Sequence, residues 1–245
     1  MDKQQNPILV VKNLEKSYGR KKVVSNISFE VWPGEIVGLL GPNGAGKTTA
    51  FYMAMGLFRP DKGTILFKNE DVTHFPIHRR AKMGMGYLAQ EPSIFRSLTV
   101  EENILAILET LPLSRFEQKE RLHLLLRELH LEHLAKERAI SLSGGERRRL
   151  EITRSLATNP SFLLLDEPFA NIDPLSIQEV KALIRLLAKK NISILITDHN
   201  AREIFSLVDR SYLIAGGEIF LSGTPQELMN NEMAKTTYLG DEFRM

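Results

Sequence analysis

A chain of 245 residues that is 43% hydrophobic and 25% charged has ample material for one large α/β domain, alone or with a subdomain. Its formal net charge of +2 is too mild to argue for a nucleic-acid partner, and the absence of cysteine excludes a disulfide framework and a thiolate site, which suits a reducing cytoplasm. No apolar run approaches the ~20 residues that span a bilayer, and Met1–Pro7 lacks the apolar stretch of a signal peptide, so a membrane role is expected to act through a partner.

Ile8 to Gly34 reads as antiparallel β-structure, with Ile27, Phe29 and Val31 alternating with Ser28 and Glu30. Tyr18 lies ahead of the first core strands, where its ring could stack on adenine or pack into the core. Ile36 to Leu40 is short, apolar and uncharged, the pattern of a strand buried on both faces. It feeds Gly41-Pro42-Asn43-Gly44-Ala45-Gly46-Lys47-Thr48, the spacing G-x-x-x-x-G-K-T. The glycines let successive backbone N–H groups turn inward as an anion-binding nest. A helix expected over Lys47 to Phe58, with Thr49 in its first turn, adds its unpaired N–H groups and the positive end of its dipole. This is a phosphate cradle for ATP, in which Lys47 reaches the β- and γ-phosphates and the Thr48 hydroxyl binds Mg²⁺.

Thr64 to Phe67 reads as a strand and Pro76 to Lys82 as a short basic helix. Gly84 to Ala89 reads as a strand ending at Gln90, whose amide oxygen can serve Mg²⁺ or a water and whose release would sense hydrolysis. From about Pro92 to Asn159 the pattern turns helical. Ser114 and Glu117 fit a capping box, and Leu122, Leu125, Leu126 and Leu129 follow at helical spacing as one apolar face. The block interrupts the α/β alternation and reads as a lobe inserted between strands of the nucleotide-binding core.

Near the end of that lobe, Leu142-Ser143-Gly144-Gly145-Glu146 leads into a helix expected over Arg147 to Ala157. A serine hydroxyl and two glycine amides at a helix start make a second anion site. Capping accounts for the serine and leaves the paired glycines unexplained. One chain has one phosphate cradle, so this second turn is expected to close over the γ-phosphate bound by another copy, in a two-fold dimer. Arg147, Arg148 and Arg149 share one helical turn with no aromatic beside them, which reads as a solvated face or an interface and not as a nucleic-acid contact.

Phe162 to Leu165 is a buried strand ending in Asp166 and Glu167, at the carboxyl edge where α/β folds bind ligands. Successive strand residues point to opposite sides, so the pair can divide the work. Asp166 would hold Mg²⁺ through water, and Glu167 would act as general base on the attacking water. Asp173-Pro174 caps a helix running to about Lys190. Ile192 to Thr197 is another buried strand, followed by Asp198 and His199. In a parallel sheet that edge neighbours Asp166 and Glu167, and the His199 imidazole could touch the γ-phosphate and orient water. A helix over Ala201 to Val208, a hairpin around Gly216-Gly217 and a capped helix from Thr224 complete the chain.

In their order these motifs resemble the set carried by ATP-binding cassette (ABC) ATPases, over essentially the whole chain. Gly41 to Thr48 is similar to the Walker A motif, Gln90 to the Q-loop and Leu142 to Glu146 to the signature, while Leu163 to Glu167 is similar to Walker B, Ala170 to Asp173 to the D-loop, His199 to the H-loop and Tyr18 to the adenine-stacking aromatic. The resemblance implies a P-loop NTPase fold of ABC type: an α/β core with an antiparallel β subdomain and an inserted helical subdomain. Its ATP-binding domain would cover 8–240, with the lobe at about 92–159 and a tail at 241–245.

More narrowly, Gln90 to Arg96, Leu142 to Arg149, Ile196 to Asn200 and Tyr238 to Arg244 look like the ATPase family of bacterial lipopolysaccharide export. That family energises extraction of lipopolysaccharide from the inner membrane through two transmembrane partners and a periplasmic bridge. The resemblance implies a homodimeric ATPase using ATP and Mg²⁺, peripheral on the cytoplasmic face of the inner membrane through two permease subunits, without nucleic acid. Phe95 and Arg96 would line a groove for a partner's coupling helix, with lobe core as the alternative for Phe95. Ala89 stands where relatives often carry Pro, and Asn171 where a small Gly is usual, which could alter coupling between the two sites. An importer ATPase for branched-chain amino acids shares the compact size. A DNA-repair cassette would carry long heptads between Lys47 and Ser143, and a translation-associated protein would carry two cassettes; this chain shows neither pattern.

Overall fold

The computed structural model describes residues 6–240 and Phe243, so the expectations for the first five residues and for most of the tail at 241–245 lie outside the described residues. The strands in chain order are β1 (Leu9–Tyr18), β2 (Lys21–Val31), β3 (Ile36–Leu40), β4 (Lys62–Phe67), β5 (Glu70–Asp71), β6 (Met85–Leu88), β7 (Phe162–Asp166), β8 (Ser193–Thr197), β9 (Arg210–Ala215) and β10 (Glu218–Gly223). Among the described residues they form one sheet, ordered β5-β4-β1-β2-β10-β9-β3-β8-β7-β6.

The sheet changes character along that order. β9, β3, β8, β7 and β6 run parallel, whereas β1 pairs antiparallel with β2 and β4. The sequence pattern explains the split. β3, β7 and β8 are buried at every position, as strands covered on both faces must be. β2 buries Ile27, Phe29 and Val31 and exposes Ser28, the alternation of a strand with one wet face.

Five helices in the first two thirds of the chain are α1 (Lys47–Met55), α2 (Ile77–Lys82), α3 (Val100–Leu108), α4 (Arg115–Glu128) and α5 (Gly144–Leu156); α6 (Pro174–Lys189), α7 (Ala201–Phe205) and α8 (Pro225–Asn230) follow. α1 stops before the expected Phe58 because Gly56 adopts a left-handed conformation (φ 82°) and its N–H closes onto Met53 and Tyr52. The end is sealed by Arg80, whose buried guanidinium donates to the carbonyls of Met53 (3.0 Å) and Ala54 (2.6 Å). The short basic helix α2 therefore contributes an internal cap as well as surface charge. α7 also ends early, at Phe205, and α5 begins three residues before the expected Arg147, directly at the Ser143 cap.

The lobe is not helical from Pro92. Its first helix waits for the Thr99–Glu102 capping box, and residues 92–98 form an irregular stretch. Leu122, Leu125, Leu126 and Leu129 are all buried in the core shared by lobe and sheet. A second core lies under α1 and the antiparallel strands, around Phe51, Met53, Phe67 and Phe162. Among the described residues no helix is long and apolar enough to cross a membrane.

Candidate active site

The loop between β3 and α1 wraps the start of its helix. Gly46 is the N-cap of α1 at φ 102°, and a Cβ there would lie 2.7 Å from the Val23 carbonyl oxygen, so the position demands glycine on both counts. Pro42, Asn43, Gly44 and Thr48 are exposed, while Gly41 and Ala45 are buried. Lys47 Nζ donates to the carbonyls of Gly41 (2.7 Å) and Pro42 (3.0 Å), which holds the ammonium over the loop's own backbone. Burial pulls the Lys47 pKa down, and the charges of Glu167 and Asp198 oppose that pull. Thr49 follows in the first turn of α1, half-buried.

The parallel register sets the acidic edge. Asp166 on β7 stands level with Thr197 on β8. Asp166 is 2% exposed; its Oδ1 accepts from the Thr197 hydroxyl at 2.7 Å, and its Oδ2 is buried without a hydrogen-bond partner. Glu167 does not continue the strand as the alternation argument assumed. It sits in the left-handed region at φ 43°, with its N–H donating to the Thr197 carbonyl at 2.8 Å. The two carboxylates thus diverge through a backbone kink, a conformation that costs of order 1–3 kcal/mol and needs support from its surroundings.

The two neighbouring strand ends supply groups around Glu167. Gln90, after β6, donates from Nε2 to Glu167 Oε2 at 2.8 Å. His199, after β8, brings Nδ1 to 3.5 Å from the same oxygen and 3.7 Å from Asp198 Oδ1. Asp198 is buried, and desolvation raises its pKa. Sequence motifs far apart in the chain meet here because β8, β7 and β6 are neighbours in the sheet.

Arg148 departs from the reading of the arginine triplet as a solvated face or an interface, because it is an internal side chain. It is 6% exposed, and its guanidinium donates to the carbonyls of Pro168 (3.1 Å) and Ala89 (3.0 Å), with longer bonds to those of Asp166 and Glu167 (both 3.4 Å). Its charge is paired with buried Glu151 at 2.8 Å. One side chain of α5 thus ties the backbone before Gln90 to the kink at Glu167. The available signal was the i, i+3, i+4 stripe of Arg148, Glu151 and buried Ile152, which gives the arginine a partner on an inward face. Arg149 pairs with Glu179 at 3.5 Å, and Arg147 donates to the Leu142 carbonyl at 3.2 Å.

At the start of α5, Ser143 and Glu146 form a complete capping box. The paired glycines, which capping alone left open, have part of their answer inside the chain. A Cβ on Gly145 would lie 2.3 Å from Ser176 Oγ, so the residue is small to let α5 meet α6; Gly144 has ordinary space, 3.6 Å from Ile172. Asp173, the last residue of the stretch similar to the D-loop and the expected cap of α6, is engaged as that cap, accepting from the N–H groups of Leu175 and Ser176 and from the Ser176 hydroxyl. Asn171 is left-handed at φ 59°, a region Asn tolerates better than most residues, which reconciles it with a position where glycine is usual.

Two aromatics stand outside the cores. Tyr18 is 48% exposed, with Phe58 edge-on at 6.3 Å, so it is not core packing. Phe95 is 47% exposed, and the Arg154 guanidinium lies over its ring at 4.7 Å; the neighbouring Ile94 is the residue that enters the core. Buried Asn103 fixes the Phe95 backbone, accepting its N–H at 2.8 Å and donating to its carbonyl at 2.9 Å. Arg96 beside it is exposed.

The donor set fits Mg²⁺. Asp166 Oδ2 is a buried oxygen with an unfilled bond, and the Thr48 hydroxyl is exposed at the helix start. Among the described residues no cluster of three or more His, Cys, Asp or Glu could hold a metal alone, which suits a hard cation that completes its shell with phosphate oxygens and water.

A glycine-rich phosphate loop facing carboxylates at the ends of parallel strands defines a P-loop ATPase. The ABC transporter family matches residues 24–170, and the chain, an ABC-type ATPase, belongs to it. It is 53% identical to the lipopolysaccharide export system ATP-binding protein LptB of Acidithiobacillus ferridurans, over 97% of this chain and 99% of that one. Its identity to the protein of the same name from Escherichia coli K12 is 48%, again over 97% and 99% of the two chains. A crystal structure of an ATP-binding cassette of an ABC transporter in its ADP conformation superposes with a TM-score of 0.86 at 28% identity, covering 96% of this chain and 100% of the other.

Proposed function

We propose that this chain is the ATP-hydrolysing subunit that powers lipopolysaccharide extraction from the inner membrane for export to the outer membrane. It works as a homodimer on the cytoplasmic face, held there by two transmembrane permease subunits, with residues 8–240 as its ATP-binding domain and the lobe at about 92–159. The observation that carries this reading is the identity of about half of all positions to lipopolysaccharide export ATP-binding proteins, end to end in both chains.

In this reading Gly41 to Thr49 bind the phosphates, and Lys47 leaves the carbonyls of Gly41 and Pro42 for the β- and γ-phosphates. Tyr18 stacks on adenine. Thr48, Gln90 and Asp166 hold Mg²⁺, which neutralises phosphate charge. Glu167 takes the proton of the attacking water, and Gln90 and His199, from the ends of the two flanking strands, orient its carboxylate at one oxygen. Ser143 to Glu146 of one copy close over the γ-phosphate in the other, with Asp173 shaping the neighbouring loop. Little covalent chemistry falls to the protein, so catalysis is positioning and charge stabilisation. Phe95 and Arg96 offer an exposed ring and charge to a permease coupling helix.

Purification of the tagged chain from native membranes tests the assignment. Two permease subunits of the lipopolysaccharide exporter should co-purify, and depletion of the chain should leave lipopolysaccharide in the inner membrane. Recovery of amino-acid importer subunits instead would overturn it. Phe95→Ala should weaken that complex while the isolated ATPase rate stays at the wild-type level; an unchanged complex removes Phe95 from the groove.

A further inference from the structure

Ser143 has one hydroxyl proton, and a carboxylate holds it. Ser143 Oγ donates to Glu146 Oε2 at 2.7 Å, while the same oxygen accepts the Ser143 N–H at 2.8 Å. In return Ser143 Oγ accepts the Glu146 N–H at 3.3 Å. A hydroxyl donates to one acceptor at a time. Any phosphate oxygen that takes the Ser143 proton must first displace Glu146.

The box itself is ordinary cap chemistry. Ser114 and Glu117 form the same one at the start of α4, with hydroxyl-to-carboxylate and N–H-to-carboxylate distances of 2.7 Å each. What distinguishes the box on α5 is its place, at the turn assigned above to the nucleotide of a second copy. There the glutamate is also a negative charge beside the path of a polyanion. The Ser143 hydrogen bonds, hydroxyl first, hold the Glu146 carboxyl below the usual range, and nearby Arg149 pulls in the same direction, so the group stays ionised at neutral pH.

We propose that Glu146 is a latch on the signature serine: its carboxylate competes with the partner's γ-phosphate for the Ser143 hydroxyl proton and sets the ATP concentration at which two copies close. This rests on the reading that Ser143 caps the nucleotide of a second copy. A glutamine keeps the box, since its amide oxygen still accepts from the Ser143 N–H, and it holds the hydroxyl with a neutral and weaker bond. On closure the Ser143 side chain turns to the phosphate while its backbone stays tied to residue 146.

The test uses the full chain carrying Glu167→Gln, so that bound ATP is not consumed. Dimer formation is followed by sedimentation against Mg²⁺-ATP, with thermal melting recorded for each variant. Adding Glu146→Gln should lower the ATP midpoint roughly fivefold to tenfold, the difference between a charge-assisted and a neutral hydrogen bond. Glu117→Gln, the same change in the matched box on α4, should leave the midpoint where it was. Ser143→Ala should raise it, and adding Glu146→Gln to Ser143→Ala should gain much less than adding it to the parent, because only the charge repulsion is then relieved. Glu146→Ala, with the same expected sign, replaces the glutamine variant if that folds poorly. An unchanged or higher midpoint for Glu146→Gln, with Ser143→Ala still raising it, overturns the latch and leaves the dimer reading intact. A Ser143→Ala variant that closes like its parent overturns both.

Discussion

The two halves of the nucleotide site are built differently. The sheet half takes Gln90, Asp166, Glu167 and His199 from the ends of β6, β7 and β8 and Lys47 from the start of the helix after β3, and β3, β7 and β8 are buried at every position. Its polar groups already touch: Gln90 and His199 reach Glu167, and Thr197 reaches Asp166. The lobe half presents Ser143, Gly144 and Phe95 on exposed turns, and the hydrogen bonds of the Ser143 side chain stay within its own cap. A catalytic constellation held by a close-packed sheet is pre-organised, whereas a capped turn on a lobe is satisfied by itself and gains a new partner only when something is brought to it. Arg148 joins the halves, rooted in α5 and bonded to the backbone before Gln90 and at the Glu167 kink.

The sheet half is broken most severely by Glu167→Gln. Turnover measured by phosphate release should fall ~10²–10⁴-fold with ATP binding retained, because only proton acceptance is lost. Fast steady-state hydrolysis would remove Glu167 from the role of base. The link between halves comes next. Arg148→Met leaves Glu151 buried without its partner and should cost about 3–5 kcal/mol in urea unfolding. Arg148→Met with Glu151→Leu should recover most of that stability, yet turnover should remain low, because the bonds to Ala89 and Glu167 are still missing; full activity in the double variant would reduce Arg148 to a structural ion pair. The smallest effect belongs to the lobe side. Gly145→Ala forces a Cβ against Ser176 and should cost about 1–3 kcal/mol by thermal or urea unfolding, with Ser176→Gly restoring part of it. No destabilisation would mean that α5 and α6 separate easily and that Gly145 is free for another purpose.

Much of this molecule is legible in one dimension. Uncharged apolar runs identify β3, β7 and β8, alternation identifies β2, and Ser114 with Glu117 marks the start of α4, because burial and capping leave periodic signatures over a few residues. The G-x-x-x-x-G-K-T spacing likewise contains its own chemistry, since a nest is made by consecutive amides. Other features depend on atoms that meet only after folding. The burial of Arg148, the Gly145–Ser176 contact and the Arg80 cap on the end of α1 all required partners distant in sequence. Composition and period report how much of a side chain is covered; they do not report by what. The Glu167 kink is the clearest case. Two adjacent acids at a strand end were visible at once, but the left-handed turn at Glu167 is no part of strand alternation, and it is held by partners that folding brings up, the Thr197 carbonyl of the neighbouring strand and the guanidinium of Arg148 among them.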